Sequence, residues 1–285
     1  MVCQNVLPLL FADDTCLVAS HENFTTLILE VNEELSSICK WFQMNKLSLN
    51  TSKSNLMIFC NKNKRYTKEE AKIFIDNVEL SQVSSIKFLG VIVDEKLTWK
   101  CHIELVCKKT MRSIGILSRI RSLVNQSCIL TCYYSLIYPY IVYCNSVWAA
   151  TCPTFLNKIL LAQKTFLRMV TFAKKTESSI LLFRKCNLLS VFNVNIYQTC
   201  VFMYKYVYSA HDLPFSFQNF FKFSSDIHSY QTRHSKDFHL PLCRTSHNQR
   251  TLKSRGPSLW NNLPTSLKSI SSLTLFKKHL KKITL

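Results

Sequence analysis

Apolar residues first gather into two short runs, Leu9-Leu10-Phe11 and Cys16-Leu17-Val18-Ala19, separated by Ala12-Asp13-Asp14-Thr15. Runs of this length bounded by polar residues predict strands, and carboxylates belong outside the buried part, so the stretch predicts a β-hairpin with Asp13 and Asp14 at its tip. From His21 to Lys46 the period changes to helical. Phe24, Leu27, Ile28, Val31, Leu35, Ile38, Trp41 and Phe42 line one side and Glu30, Glu33 and Glu34 the other, which predicts a helix docking one face on a sheet. Asn55 to Cys60 is strand-like, and the charged Asn61 to Lys72 predicts a surface loop. Ile73-Phe74-Ile75, Val78-Glu79-Leu80 and Ile86 to Asp94 predict strands around turns. From His102 the period is helical again, with Ile103, Val106, Ile114, Leu117, Ile120 and Leu123 apolar and Lys108, Lys109, Arg112, Arg119 and Arg121 basic. Residues 125 to 210 predict helices throughout, Leu156 to Phe172 and Ile196 to Tyr208 most clearly, and the aromatic Leu213 to Ser229 predicts a boundary. The expectation is an α+β N-terminal part of antiparallel strands and a helix over 1–100. A mainly α-helical part over 101–212 and a C-terminal module over 213–285 come after it.

Composition adds a partner class. The 285 residues carry a formal net charge of +19 with 47% hydrophobic residues, so the chain can build a core and attract a polyanion, either nucleic acid or an anionic membrane surface. The charge is uneven: residues 218–285 hold 12 Lys and Arg against 2 Asp and Glu, whereas residues 1–70 hold 7 against 8. A basic partner surface is therefore expected toward the C-terminus. Thirteen cysteines, without a Cys-x-x-Cys pair or a signal peptide ahead of them, point to a reducing intracellular compartment, cytoplasm or nucleus. Only Gly90, Gly115 and Gly256 occur, which excludes Gly-x-Gly-x-x-Gly and P-loop turns. The uncharged span 122–157 raises membrane association, centred on Cys128 to Ala150. Thr131, Ser135, Asn145 and Ser146 interrupt that run and Pro139 sits inside it, so buried helices are expected instead and no stable membrane insertion. His239, Cys243 and His247 fall four apart, close to His234, and would suit zinc on one helix face. Pro241 breaks such a helix, so no metal is expected there.

Asp13 and Asp14 gain meaning from the downstream chain. Phe11-Ala12-Asp13-Asp14 resembles the aromatic-Ala-Asp-Asp box of reverse transcriptases of non-LTR (LINE-type, jockey-like) retrotransposons. Lys46-Leu47-Ser48-Leu49-Asn50-Thr51-Ser52-Lys53-Ser54 is similar to the stretch after that family's catalytic hairpin. Phe88-Leu89-Gly90-Val91, with Asp94, Leu97, Trp99, His102 and Ile103, is similar to its primer-grip hairpin. Further on, Tyr134 to Pro139 with Tyr143 and Val147-Trp148 matches a family segment in which Tyr140 replaces the usual His. Thr232-Arg233, Pro241, Arg244-Thr245, Ser254 to Pro264 and Leu273 to Lys281 match its terminal module in order.

The resemblance implies a partial palm, a helical thumb and a basic end module. It implies RNA-directed DNA synthesis through two Mg²⁺ (or Mn²⁺) ions, with Asp13 as metal ligand, Asp14 as the weaker partner and Lys53 near the triphosphate as proton donor to pyrophosphate. Phe88, Leu89 and Gly90 would hold the primer end, where a side chain at Gly90 would obstruct the approach. An RNA template and a DNA primer are the implied partners. Lys108, Lys109, Arg112, Arg119 and Arg121, then Arg255, Lys277, Lys278, Lys281 and Lys282, are the expected nucleic-acid contacts, with Trp260 and Phe276 beside the latter group. The family's fingers and first catalytic aspartate have no counterpart in residues 1–12, so this chain alone is expected to be inactive. A non-enzymatic nucleic-acid-binding remnant of the same origin is the alternative. Solvated turns and solvated cations would present the same residue types.

Overall fold

The computed structural model describes residues 6–60, 70–227, 235 and 237–285. The expectations for Asn61 to Glu69, His234, and Thr232-Arg233 lie outside the described residues. The chain divides into two compact units, Met1–Leu97 and Thr98–Leu285.

In the first unit β1 (Val6–Phe11) pairs antiparallel with β2 (Asp14–Ala19), with Phe11 opposite Asp14 and Val6 opposite Ala19. The two-residue turn Ala12-Asp13 puts Ala12 at φ 51, a left-handed conformation usually left to glycine. Helix α1 (Phe24–Met44) starts where the Asn23 side chain accepts from the N–H groups of Thr25 and Thr26, at 2.9 and 3.3 Å. It buries Leu35, Ile38 and Cys39. Asn32, on the same helix, donates to the Lys72 carbonyl at 3.2 Å and accepts from the Phe74 N–H at 3.0 Å, locking the helix to a strand edge.

Three short pairings complete this unit. β3 (Asn55–Leu56) is parallel to β6 (Ser81–Gln82), while β4 (Phe74–Ile75) with β5 (Val78–Glu79) and β7 (Ser85–Phe88) with β8 (Val91–Asp94) are antiparallel hairpins. The strand expected over Asn55 to Cys60 is ordered as strand only at its first two residues, because its one pairing partner offers just Ser81 and Gln82. The core is small: Leu35, Cys39, Ile73 and Ile75 are buried, flanked by Leu17, Ile28, Val31, Leu49, Leu56 and Leu80.

The second unit is helical among its described residues. α2 (Lys100–Ile120) is followed by α3 (Gln126–Leu136), α4 (Tyr138–Val142), α5 (Asn145–Trp148), α6 (Pro153–Thr171), α7 (Ser179–Lys185) and α8 (Val191–Tyr208). α9 (Ser246–Arg250), α10 (Leu252–Asn261), α11 (Thr265–Lys268) and α12 (Leu273–Thr284) close the chain. The uncharged span is thus cut into α3, α4 and α5, with Pro139 in the first turn of α4, and no described helix is long and apolar enough to cross a membrane.

α2 runs parallel to α6. Glu104 pairs with Lys158 at 3.0 Å near their N-terminal ends, and Arg121 meets Phe172 where both finish. Buried Gln163 ties α6 to its neighbours. It donates to the Tyr133 hydroxyl and the Leu189 carbonyl, both at 3.0 Å, and accepts from the Val191 N–H at 2.8 Å.

α8 is buried along most of its length. Its C-terminal half shares one cluster with residues 220–280, including Met203, Tyr204, Phe221, Phe238, Trp260, Phe276 and Leu280. Tyr204 and Tyr208 donate to the carbonyls of Ser271 and Lys268. The Asn261 amide satisfies both the N–H and the carbonyl of Phe238, at 3.0 and 2.8 Å.

Candidate functional site

Asp13 occupies the second position of the β1–β2 turn and Asp14 the first of β2, both exposed. Asp13 is therefore a turn residue and Asp14 a strand residue opposite Phe11. Neither forms an ion pair among the described residues. Ala12, strained at φ 51, is what tightens this tip. Oxygen donors on a tight exposed turn are the donor type that a hard cation takes, and a pair is fewer than a two-cation site needs. Among the described residues no group of three or more His, Cys, Asp or Glu is gathered for a metal. His239 and Cys243 are extended or coil and only His247 is helical, so their four-residue spacing does not become one helix face.

Lys53 ends a short 3₁₀ turn, Thr51–Lys53, and is exposed. Leu49, four residues before it, and Leu17, three residues after Asp14, pack on the same small cluster. The segments carrying the carboxylates and the lysine are thus anchored to one core. Phe88, Leu89 and Gly90 form the tip of the β7–β8 hairpin. Leu89 and Gly90 take φ 44 and 84, the two positive values that a tight two-residue turn requires, which is a local reason for glycine here.

The five α2 cations separate into two sets. Lys108, Arg112 and Arg119 are exposed and, at spacings of four and seven, share one helix face. Lys109 instead sits 4.7 Å from the Tyr140 ring centroid, and the Arg121 guanidinium lies 3.4 Å from that of Phe172. These two are spent on cation–π contacts within the unit. Tyr140, where the resembling family has His, is thereby the seat of a cation.

At the C-terminal end the reading of two aromatics is corrected. Trp260 and Phe276, expected beside a nucleic-acid backbone, are 5% and 0% exposed, because the α8–α10–α12 core is built on them. Arg255 is half-buried beside Cys200. Burial lowers the Arg255 pKa from its usual value and pushes the Cys200 thiol up to about 12. Lys278 and Lys282 face solvent one turn apart, while Lys277 and Lys281 are half-buried, Lys281 with its pKa lowered by burial. Phe172 escaped the sequence reading, although an aromatic between Arg168 and Lys174-Lys175 is the signal that marks it.

No family model and no solved structure matches the chain. Curated proteins do. It is 24% identical over 187 residues to the probable RNA-directed DNA polymerase from transposon X-element of Drosophila melanogaster, covering 64% of this chain and 20% of that protein. The RNA-directed DNA polymerase from mobile element jockey of the same organism is 22% identical over 173 residues, covering 60% and 18%. The probable RNA-directed DNA polymerase from transposon BS, again of Drosophila melanogaster, is 25% identical over 187 residues, covering 64% and 20%. The matched part is thus about a fifth of the length of these relatives. Over some three-fifths of its residues, the chain is similar to a segment of RNA-directed DNA polymerases from mobile elements.

Proposed function

We propose that residues 1–285 are a reverse-transcriptase-like polypeptide of non-LTR retrotransposon origin, comprising part of a palm, a thumb and a basic end module, that handles an RNA template and a DNA primer. The observation that carries this reading is the shared similarity to three RNA-directed DNA polymerases. The Asp13-Asp14 turn agrees with it chemically. When bound there, Mg²⁺ or Mn²⁺ would polarise a primer 3′-hydroxyl and neutralise nucleotide phosphates. The chain's own parts are then Asp13 and Asp14 as oxygen donors, Lys53 as proton donor to departing pyrophosphate, and Phe88 to Gly90 as support for the primer end. A reducing cytoplasmic or nuclear compartment belongs to the same proposal.

A second reading, nucleic-acid binding without catalysis, is favoured by one observation: among the described residues two adjacent carboxylates are not joined by a third metal-binding group. The two readings separate in a primer-extension assay. The polypeptide of residues 1–285 is expected to bind Mn²⁺ weakly and to extend no DNA primer on an RNA template. Joined in cis to palm and fingers segments of a related reverse transcriptase it extends the primer, and Asp13→Asn abolishes that extension. Synthesis that survives Asp13→Asn overturns the assignment of the carboxylates, and a fused protein that binds template-primer but never extends it selects the second reading.

A further inference from the structure

The parallel helices α2 and α6 end beside one exposed aromatic ring. Phe172 is the C-cap of α6 at φ 55, a left-handed conformation that a non-glycine residue adopts only at a cost, and it is 72% exposed. The guanidinium of Arg121 lies 3.4 Å from its ring centroid, so one face is covered by a cation and the opposite face is open. The turn carrying the ring is pinned from both sides. Arg168, one helical turn earlier, donates to the Lys175 carbonyl at 3.5 Å, and the Glu177 carboxylate accepts from the Lys174 N–H at 3.0 Å.

A large apolar ring held in solvent at the cost of backbone strain gains nothing from burial within its own unit. Its chemistry is that of half a stack: a rigid π-face whose far side is already polarised by a guanidinium. The surroundings choose the other half. Lys174 and Lys175, two and three residues past the ring, are exposed, and Glu177 is the only acid between Arg119 and Lys185. A planar group attached to a polyanion fits this setting. A second copy of this chain would bring like charge against it, and a purely apolar partner would leave the cations unanswered.

We infer that Phe172, backed by Arg121, is a stacking platform for an unpaired nucleobase of single-stranded RNA or DNA, with Lys174 and Lys175 taking the flanking phosphates. The inference deepens the proposed nucleic-acid function and rests on it. Bases inside a duplex hide their faces in the stack, so the platform favours single strands.

The test uses the full chain and a single-stranded oligonucleotide carrying one 2-aminopurine, with a duplex of the same sequence alongside. Wild type quenches the 2-aminopurine on binding. Phe172→Leu, still apolar, loses the quench and weakens single-strand affinity about tenfold or more, as expected for one lost base–aromatic stack, while duplex affinity stays unchanged. Phe172→Tyr restores both signals, which separates a lost stack from a lost fold. The salt dependence discriminates further: Phe172→Leu keeps the slope of log K against log salt, whereas Lys175→Gln lowers it by about 0.7 and keeps the quench. Unchanged single-strand affinity in Phe172→Leu, or equal losses on single strand and duplex, overturns the platform and leaves the proposed function standing. Binding of phosphatidylserine vesicles that depends on Phe172 while oligonucleotide binding does not overturns it in favour of a membrane surface. Absence of any nucleic-acid binding by wild type removes both.

Discussion

Neutralising the exposed row on α2 tests the division of its cations. Lys108, Arg112 and Arg119 are free on one face, whereas Lys109 and Arg121 are stacked on Tyr140 and Phe172. If each exposed cation meets one phosphate of a duplex, the triple Gln variant loses about 2.7 from the salt slope, which is a roughly 150-fold weaker affinity near 0.15 M salt and almost no difference toward 1 M. Lys109→Gln leaves that slope where it was. It lowers stability instead, by about 0.5 to 1 kcal/mol for one partly exposed cation–π contact. Fluorescence anisotropy with a labelled RNA–DNA hybrid over a KCl series gives the slopes, and urea unfolding gives the stability. A Lys109→Gln slope reduced as much as that of Arg112→Gln would refute the division, as would a triple variant with the wild-type slope.

Two further outcomes arise from the helical core. Gln163→Met leaves the Val191 N–H, the Leu189 carbonyl and the Tyr133 hydroxyl without their partner, and should cost about 3 kcal/mol or more in urea unfolding; a loss under about 1 kcal/mol would mean the strut is dispensable. His102, 4% exposed against Trp148, has its pKa lowered by burial and then by Lys109, so below about pH 6.5 the unfolded chain takes up its proton first and stability falls with pH. His102→Phe should flatten that fall between about pH 7 and pH 5, and an unaltered pH dependence would show that the imidazole is not the group responsible.

The elements and their faces were readable where a side-chain period decides them. Ile103, Val106, Ile114 and Leu117 are the buried stripe of α2, and Pro139 does interrupt the uncharged span as its chemistry requires. Both two-residue turns at Asp76-Asn77 and Leu89-Gly90 use positive φ, which Asn and Gly tolerate best. Partners were harder to read. A period says which side of a helix is wet but not which ring stands opposite a cation, so Lys109 and Arg121 read like Lys108 and Arg112. Trp260 and Phe276 were misplaced for a related reason: the lysines and arginines around them describe the outer face of α10 and α12, and the aromatics belong to the inner one. Leu123, read as part of the apolar stripe, lies past the end of α2 and is 79% exposed.

The change in charge near residue 218 coincides with no break in packing, because α8 gives its C-terminal half to the core formed with residues 220–280. The Asn193 amide reaches the Thr284 carbonyl at 2.6 Å, tying the first turn of α8 to the last helix of the chain. A seam visible in composition is therefore welded in mechanics. Opening of α12 must expose Phe276 and Leu280 and strip Tyr204 of its cover, so hydrogen exchange in α8 and α12 belongs to one cooperative event rather than to two neighbours that melt in turn. Residues 220–280 are, physically, the other half of α8's interior.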